Sequence, residues 1–356
     1  MAYTNIDDPS AHFQTLLWTG NDVDGRALTN DGNSDLQPDL VWLKNRNVGY
    51  NHFLQDSSRG TSVYLSSNTT TGDTTWTNLV ESFDTNGFTV GDDGSQVPNH
   101  IGNTFVGWQW KANGGTTASN SDGSITSTVQ ANQDAGFSIV QYTGTGSAAT
   151  IGHGLGVAPA MYIVKNRDQT GTNWTIFHKN LTSNAYSLYF NTAAQSNSVG
   201  YWNGTSPTST VFSIKNTSGD VNTNTEDYVA YCFAEKQGYS KFGKYVGNGS
   251  TDGNAPFVYT GFKPAFVMIK NASASTNWYM WDNKRNPYNV VNNGLNANTS
   301  NATQGTAYDT LDFLSNGFKI RDYADGTWNG SGNTIIYMAF AESSFVSSQG
   351  IPTTAR

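Results

Sequence analysis

Acidic residues are the first group that could carry chemistry, because a glycosidase places two carboxyl groups across the bond that it cleaves. The chain contains only four glutamates, which are Glu81, Glu226, Glu235 and Glu342. Glu235 and Glu342 both follow a Phe-Ala pair at the end of a predicted strand. Because this carboxylate recurs at one position of the scaffold, we expect it to form a structural hydrogen bond and not a catalytic pair.

Two aspartates, Asp56 and Asp282, each precede an arginine by three residues. This spacing predicts a salt-bridged turn.

Asp31, Asn33 and Asp35 resemble the start of a calcium loop, but the glycine and the distal glutamate of that motif are missing, so we predict a plain turn.

The histidines and the cysteine give no metal-binding pattern. None of the histidines has the spacing of a metal ligand relative to another histidine or to the single Cys232, which we expect to be a small buried residue. The five histidines are His12, His52, His100, His153 and His178. For His52 and His178 we predict solvated or hydrogen-bonded roles in the scaffold. The sequence thus predicts a chain without enzymatic activity, metal or organic cofactor.

Tryptophans among Asn and Thr residues are typical of carbohydrate sites, and five lie in such surroundings: Trp174, Trp202, Trp278, Trp281 and Trp328. Those in predicted strands are expected to fill a core. Trp202 and Trp328 lie in predicted loops, so we take them as the candidate surface residues for binding.

One apolar stretch occurs three times and organises the chain. It runs from Pro38 to Lys44, from Pro159 to Lys165 and from Pro264 to Lys270, and an asparagine follows each lysine. A short apolar run of this kind predicts a central strand that is buried on both faces. Proline suits the first residue of such a strand, and we expect the lysine to mark the point where the strand leaves the core.

Other strands recur around each of these anchor strands. An aromatic strand that ends at Gly20, Gly144 or Gly247 precedes the anchor, and a second aromatic strand follows it. A Phe-x-Val or Phe-x-Ile strand and a closing strand complete each unit. Short strands joined by Gly- and Asn-rich turns predict an all-β fold of three tandem antiparallel β-sandwiches, jelly-roll-like and about 100 residues each. One continuous β-structure in which the repeats are blades or layers is the alternative.

The predicted boundaries follow from these strands. Repeat 1 comprises residues 1–111, repeat 2 residues 137–236 and repeat 3 residues 237–345. Residues 112–136 are predicted to be a flexible linker, since residues 112–123 are small and polar, and Ile125 and Val129 could add a short strand. Residues 346–356 form a predicted C-terminal tail. The sequence leaves open whether the repeats surround a threefold axis or line up along a fibre.

Composition excludes several classes of protein. The net charge is −8 and there is no Lys/Arg cluster, which argues against binding to nucleic acid. No apolar run approaches about 18 residues, so membrane insertion is not expected. The N-terminus lacks the features of a signal peptide, which predicts synthesis in the cytoplasm.

The motif string resembles a family of repeat proteins encoded by tailed bacteriophages of marine bacteria. The resemblance rests on residues 261–271 (GFKPAFVMIKN), 312–321 (DFLSNGFKIR), 337–342 (YMAFAE) and 350–356 (GIPTTAR). It covers essentially the whole chain. It implies a virion structural or tail-fibre-like protein and assigns no functional residues.

We therefore expect a non-enzymatic protein on the external surface of a virion, and a tail-fibre or host-adhesion component in the first place. Its partners would be other virion proteins and a glycan or protein of the host surface, and a homo-oligomer is left open. Repeat 1 begins next to Met1 and leaves no separate attachment domain, which favours a capsid-decorating protein as the alternative. A polysaccharide-binding or polysaccharide-degrading tailspike is the third, less favoured class.

Overall fold

The structure is a computed structural model that describes residues 3–92, 94, 98–250, 253–304, 310–321 and 326–352. The described residues form antiparallel sheets and one short 3-10 helix, Pro9–Ala11. The predicted all-β class is therefore confirmed. No helix in the described part of the chain has the length and apolarity that crossing a membrane requires.

Repeat 1 contains nine strands. These are β1 (Phe13–Thr19), β2 (Arg26–Thr29), β3 (Leu40–Asn45), β4 (Phe53–Asp56), β5 (Val63–Tyr64), β6 (Thr74–Thr75), β7 (Val80–Asp84), β8 (Gly87–Val90) and β9 (Thr104–Trp110).

The next nine strands include two that precede repeat 2. They are β10 (Ala118–Asn120), β11 (Ser127–Asn132), β12 (Phe137–Thr143), β13 (Ala149–Gly152), β14 (Met161–Asn166), β15 (Thr175–His178), β16 (Leu188–Tyr189), β17 (Val211–Ile214) and β18 (Asp227–Phe233).

Repeat 3 contains the last eight strands. They are β19 (Ser240–Val246), β20 (Phe257–Tyr259), β21 (Phe262–Asn271), β22 (Tyr279–Asp282), β23 (Leu295–Asn296), β24 (Leu311–Leu314), β25 (Gly317–Ile320) and β26 (Thr334–Ser344).

Each repeat builds a large sheet with the same strand order. The shared orders are β1-β9-β3-β4, β12-β18-β14-β15 and β19-β26-β21-β22, so the anchor strand lies beside the closing strand each time. Strand β16 adds to the second sheet beside β15, and β23 adds to the third beside β22. All residues of β3 and β14 are buried, and so is β21 except for Lys263. The prediction of anchor strands buried on both faces is confirmed.

The prolines and lysines at the ends of the anchor strands differ partly from expectation. Pro38 and Pro159 precede their strands, but Pro264 lies inside β21, where the pairing with β26 shifts register. A proline is tolerated there because a bulge frees its position from the ladder. The expectation that the lysines leave the core is wrong: Lys44, Lys165 and Lys270 are fully buried.

One face of each large sheet packs against a smaller sheet of the same repeat. The smaller sheets have the orders β2-β8-β7, β13-β17 and β20-β25-β24. Each encloses an outer core, to which the Phe-x-Val/Ile strand contributes Phe88, Phe212 or Phe318. The outer cores thus belong to single repeats.

The other faces of the three large sheets meet in one central core. The closing strands contribute Trp110, Phe233 and Phe340. The ring centroids lie 6.3 Å apart for Trp110 and Phe233, 5.7 Å for Trp110 and Phe340, and 6.1 Å for Phe233 and Phe340. Trp42, Ile163 and Met268 from the anchor strands belong to the same cluster. Burial of each such side chain contributes about 1.5–3 kcal/mol. Because every repeat supplies one wall of this core, the repeats surround an axis and do not line up along a fibre.

Residues 112–136 are not the flexible linker that was predicted. Strand β10 pairs with β11, and β11 pairs with β12, which extends the large sheet of repeat 2 to seven strands. The buried Asp39 carboxylate accepts hydrogen bonds from the N–H groups of Ala112 (2.7 Å), Gly114 (2.9 Å) and Gly115 (2.7 Å). A buried carboxylate thus fixes the Gly-rich turn that composition alone marked as flexible.

The two ends of the described chain lie against each other. Asp7 accepts a hydrogen bond from Ser348 N at 2.7 Å, and the Tyr3 hydroxyl donates one to Gly261 O at 2.9 Å. The predicted tail is therefore docked at Ser348, and residues 353–356 lie outside the described residues.

Candidate functional site

The two tryptophans predicted as surface residues are buried. Trp202 is 0% exposed and Trp328 is 5% exposed. Trp202 packs edge-on against Tyr162, with ring centroids 4.7 Å apart, and Trp328 packs against Tyr279 at 4.9 Å. The prediction of surface binding residues is wrong, because both loops fold back and their tryptophans close the outer cores of repeats 2 and 3.

The Asp/Arg pairs form the predicted salt-bridged turns. Arg59 Nε donates to Asp56 Oδ2 at 2.6 Å, and Arg285 Nε donates to Asp282 Oδ2 at 2.5 Å, with all four side chains fully buried. Opposite charges side by side offset part of the cost of burying each one alone. Without access to solvent, these pairs have no substrate to act on, so their role is structural.

The side chains at the ends of these strands, Asp56 and Asp282 among them, also form hydrogen bonds between neighbouring repeats. The fourth strand of each large sheet ends beside the closing strand of the next repeat, and a hydrogen bond connects them at every junction. The bonds are Tyr231 Oη to Asp56 Oδ2 (2.7 Å), Trp108 Nε1 to Asp282 Oδ2 (3.1 Å) and His178 Nε2 with Tyr337 O (3.2 Å). They connect repeat 1 to 2, repeat 3 to 1 and repeat 2 to 3, which closes a ring.

A second ring of contacts uses aromatic N–H groups at the start of the second aromatic strand. His52, Trp174 and Trp278 occupy equivalent positions, and each reaches a backbone carbonyl of the repeat before it in the ring. The distances are 3.0 Å from His52 Nε2 to Asn296 O, 2.7 Å from Trp174 Nε1 to Ser66 O and 2.9 Å from Trp278 Nε1 to Tyr189 O. Of the two scaffold roles predicted for His52 and His178, the hydrogen-bonded one is confirmed and the solvated one is wrong, because both side chains are buried.

The buried lysines form a third ring. Each Nζ donates to a backbone carbonyl of another repeat: Lys44 to Ser300 O (3.1 Å), Lys165 to Thr70 O (3.1 Å) and Lys270 to Ala193 O (3.4 Å). Among the described residues, no carboxylate forms an ion pair with them. Burial lowers the pKa of Lys44 and Lys270 to about 7 and that of Lys165 to about 8.

The asparagine after each lysine explains why the two residues occur as a pair. Asn45 Oδ1 accepts a hydrogen bond from Val48 N at 2.8 Å, and Asn166 Oδ1 accepts one from Gln169 N at 2.9 Å. Asn271 Oδ1 likewise accepts from Ser273 N at 3.0 Å. Such side-chain caps start the turn that leaves the sheet, while the lysine reaches across to the next repeat.

A comparison with protein families matches one region that spans all three repeats. The sequence from residue 8 to residue 344 matches a family described as a domain of unknown function, DUF7483. The chain belongs to this family. The match ends at the last residue of β26 and therefore includes all three repeats as one unit. No curated protein matches the chain, and no solved structure does.

The glutamates singled out in the sequence are held by basic or amide groups. Glu235 pairs with Lys179 and with Lys241. Glu342 lies 3.1 Å from Lys263 Nζ and accepts a hydrogen bond from Asn283 Nδ2 at 2.8 Å. Both glutamates thus form hydrogen bonds, as the sequence predicted.

A surface group that sequence reasoning missed lies at the tip of repeat 1. Among the described residues, Asp22, Asp92 and His100 have metal-capable atoms within 4.8 Å of one another. Asp22 Oδ1 already accepts a hydrogen bond from Ile101 N at 2.5 Å. Three ligands are fewer than the six to eight oxygens that Ca²⁺ takes. The group was missed because 70 residues separate Asp22 from Asp92, beyond any local spacing motif. The predicted plain turn at Asp31 is present, and its carboxylate pairs with Lys284 at 2.8 Å.

A polar cavity of about 500 Å³ opens where the N-terminal residues meet the connections into repeats 2 and 3. His12, Asp134 and Lys236 line it together with Tyr3 and Gln237. Burial, with nearby Lys111, lowers the pKa of His12. The imidazole is therefore neutral at pH 7, and its Nδ1 lies 3.2 Å from Asn132 Nδ2. The cavity offers polar contacts to a ligand but places no nucleophile beside a base.

Proposed function

We propose that this chain is a non-enzymatic structural protein on the outside of a tailed-bacteriophage particle, where it acts by contact with other virion proteins. The observation that carries the proposal is the closed ring of three repeats. The ring uses the buried carboxylates, arginines and lysines for contacts between repeats, so these charged groups serve assembly of the unit. The phage setting comes from the sequence resemblance of residues 261–271, 312–321, 337–342 and 350–356.

The ring favours capsid decoration over a fibre. Three equivalent sheets around one axis present three similar lobes, and such a unit fits a position in a shell where three copies of a subunit meet. A fibre would need repeats stacked along a line, whereas each repeat here already contacts the other two through the central core. The lobes themselves would hold the chain on the shell.

Antibody labelling of particles that carry the chain tests this proposal. Signal over the head, together with density for one chain at threefold positions in a particle reconstruction, is the expected result. Signal confined to the tail would replace decoration with adhesion. Particles without any signal would overturn the virion assignment altogether.

Host adhesion is the second candidate, and exposed aromatic residues favour it. Tyr288 is 79% exposed, Tyr259 52% and Phe257 47%. Aromatic side chains of this kind suit contacts with a glycan or a protein of the host surface. If adhesion is correct, the purified chain competes with intact phage for adsorption to host cells, and Tyr288→Ala weakens that competition without lowering the melting temperature. Release of reducing sugar from the host envelope would instead support a degrading tailspike.

A further inference from the structure

The three repeats differ in what covers the edge strand of the small sheet. In the small sheets Leu28, Ile151 and Val258 pair with the equivalent Phe88, Phe212 and Phe318, so β2, β13 and β20 are aligned. The residues that flank this buried position point outward from the sheet. They are Ala27 and Thr29 in repeat 1, Thr150 and Gly152 in repeat 2, and Phe257 and Tyr259 in repeat 3.

In repeat 1 an arginine protects this edge. Arg26, the first residue of β2, donates from its guanidinium to Thr19 O at 2.6 Å and to Asn99 Oδ1 at 2.9 Å. It thereby places a charged group across the ends of β1 and β2. Charged side chains at an edge discourage pairing with another chain.

In repeat 2 the chain covers the same edge with its own residues. Ile125 N donates to Thr150 O at 3.1 Å, and Thr150 N donates to Ser124 Oγ at 2.9 Å. The adjoining strand β11 pairs along β12 at the edge of the large sheet. Residues 118–132 therefore close both edges on this side of repeat 2.

In repeat 3 no described residue covers either edge. Ile320 N donates to Pro256 O and Thr260 N donates to Asn316 O, each at 3.0 Å. In an antiparallel pair this alternation turns the N–H and C=O groups of Phe257 and Tyr259 away from β25. Within the described part of the chain these backbone groups have no hydrogen-bond partner, and β19 likewise lies at the edge of its sheet.

We propose that the open edge of repeat 3, formed by β19 and β20, binds an extended, acidic, strand-forming segment of another protein. Backbone pairing with β19 and β20 would follow the pattern that residues 118–132 make in repeat 2, and the aromatic rings of Phe257 and Tyr259 would pack against the bound segment. This inference does not depend on where the chain is placed in a virion.

Charge disfavours a second copy that pairs through Lys244. Lys244 is exposed on β19, and Lys319 lies directly opposite Phe257 in the small sheet. Antiparallel pairing of β19 with its own copy, centred on Lys244, would set this lysine opposite itself, and like charges directly opposite are unfavourable. An acidic residue in a partner segment would meet the same lysine favourably.

The register in repeat 2 shows where that acidic residue belongs. Thr128 of β11 lies opposite Gln141 of β12, and Gln141 is equivalent to Lys244 because Tyr142 and Tyr245 are equivalent. The Thr128 side chain is exposed. A segment with aspartate at this place would therefore pair with Lys244 without losing a buried contact.

A synthetic peptide of residues 118–132 is the probe, titrated into the intact chain and followed by NMR. We expect saturable shifts confined to the amides of β19 and β20. The Thr128→Asp peptide should bind about two- to fivefold more tightly, the gain of one opposite-charge pair across strands. The Thr128→Pro peptide should not bind, because the Thr128 N–H faces the paired strand in repeat 2 and proline removes this donor.

The protein variant Phe257→Ala/Tyr259→Thr, which copies the residues of repeat 1, should lose the response and keep its melting temperature, because both side chains are half exposed. Absence of shifts at millimolar peptide, or equal shifts with the Thr128→Pro peptide, would overturn the proposal. Shifts of the same amides with protein concentration alone would show that a second copy occupies the edge, and would also overturn it.

Discussion

The central core and the three outer cores differ in how many repeats build them. All three repeats contribute to the central core, and its rings touch across repeat boundaries, as Trp110 and Phe340 do at 5.7 Å. Each outer core belongs to one repeat and is closed by its own loops, with Trp202 in repeat 2 and Trp328 in repeat 3. The central core therefore couples the repeats, whereas each outer core stabilises its own.

The polar contacts also differ between the central core and the outer edges of the repeats. Around the central core the three junctions use equivalent positions, even where the residue type changes from His52 to Trp174 and Trp278. At the outer edges the three repeats use three different solutions. Contacts that close the ring must fit two neighbours at once, while an outer edge only has to satisfy its own repeat.

The largest effect is expected for Trp110→Ala. Removal of this buried ring should cost about 3–5 kcal/mol, and hydrogen exchange should show lower protection in all three closing strands. Trp328→Ala is the matched variant of an outer core. It should cost a similar amount but lower protection only within repeat 3. Equal loss of protection throughout the chain for both variants would remove the distinction between the cores.

The second-largest effect on stability is expected when a buried charge loses its partner. Asp56→Ala leaves Arg59 without its closest partner and removes the acceptor of Tyr231, so we expect a loss of about 3–5 kcal/mol in the free energy of unfolding. Asp31→Ala, which breaks the exposed pair with Lys284, is the control and should cost less than about 1 kcal/mol. Urea unfolding measures both. A loss for Asp56→Ala no larger than the control would contradict the junction role.

The buried lysines should make stability depend on pH. Burial lowers the pKa of Lys270 from 10.5 to about 7, so the unfolded chain binds one more proton than the folded chain between these values. Stability of the wild type should therefore rise with pH, by about 1.4 kcal/mol per pH unit relative to Lys270→Met. Urea unfolding at pH 7 and pH 9 measures the difference. Lys244→Met, at an exposed lysine, is the control and should show no such slope. If the stability difference between the wild type and Lys270→Met does not change with pH, the carbonyl contacts keep the buried Lys270 charged.

The smallest effect is expected for Phe257→Ala at the open edge of repeat 3. Because the side chain is 47% exposed, the change in the free energy of unfolding should stay within about 0.5 kcal/mol. Thermal unfolding of Phe257→Ala beside Phe318→Ala, in the core strand opposite, tests this. A loss at Phe257 as large as that at Phe318 would show that β20 is part of the core.

The sequence alone determined the strands and their equivalence. Alternation and turn residues located the anchor, aromatic and closing strands of each repeat, because these signals are local and recur at fixed distances. Local chemistry also predicted the Asp56–Arg59 and Asp282–Arg285 turns, whose partners are three residues apart. The all-β class followed from the same pattern.

Only the tertiary structure decided what covers the second face of each large sheet. A strand that is apolar on both faces, such as β14, must be covered twice, but its sequence does not say whether a loop, a copy or another repeat does so. The same limit explains Trp202 and Trp328, whose polar neighbours suggested the surface, and Lys44, Lys165 and Lys270, whose acceptors belong to other repeats. Burial depends on which distant segment arrives at a position, and that is settled when the three sheets close around one core.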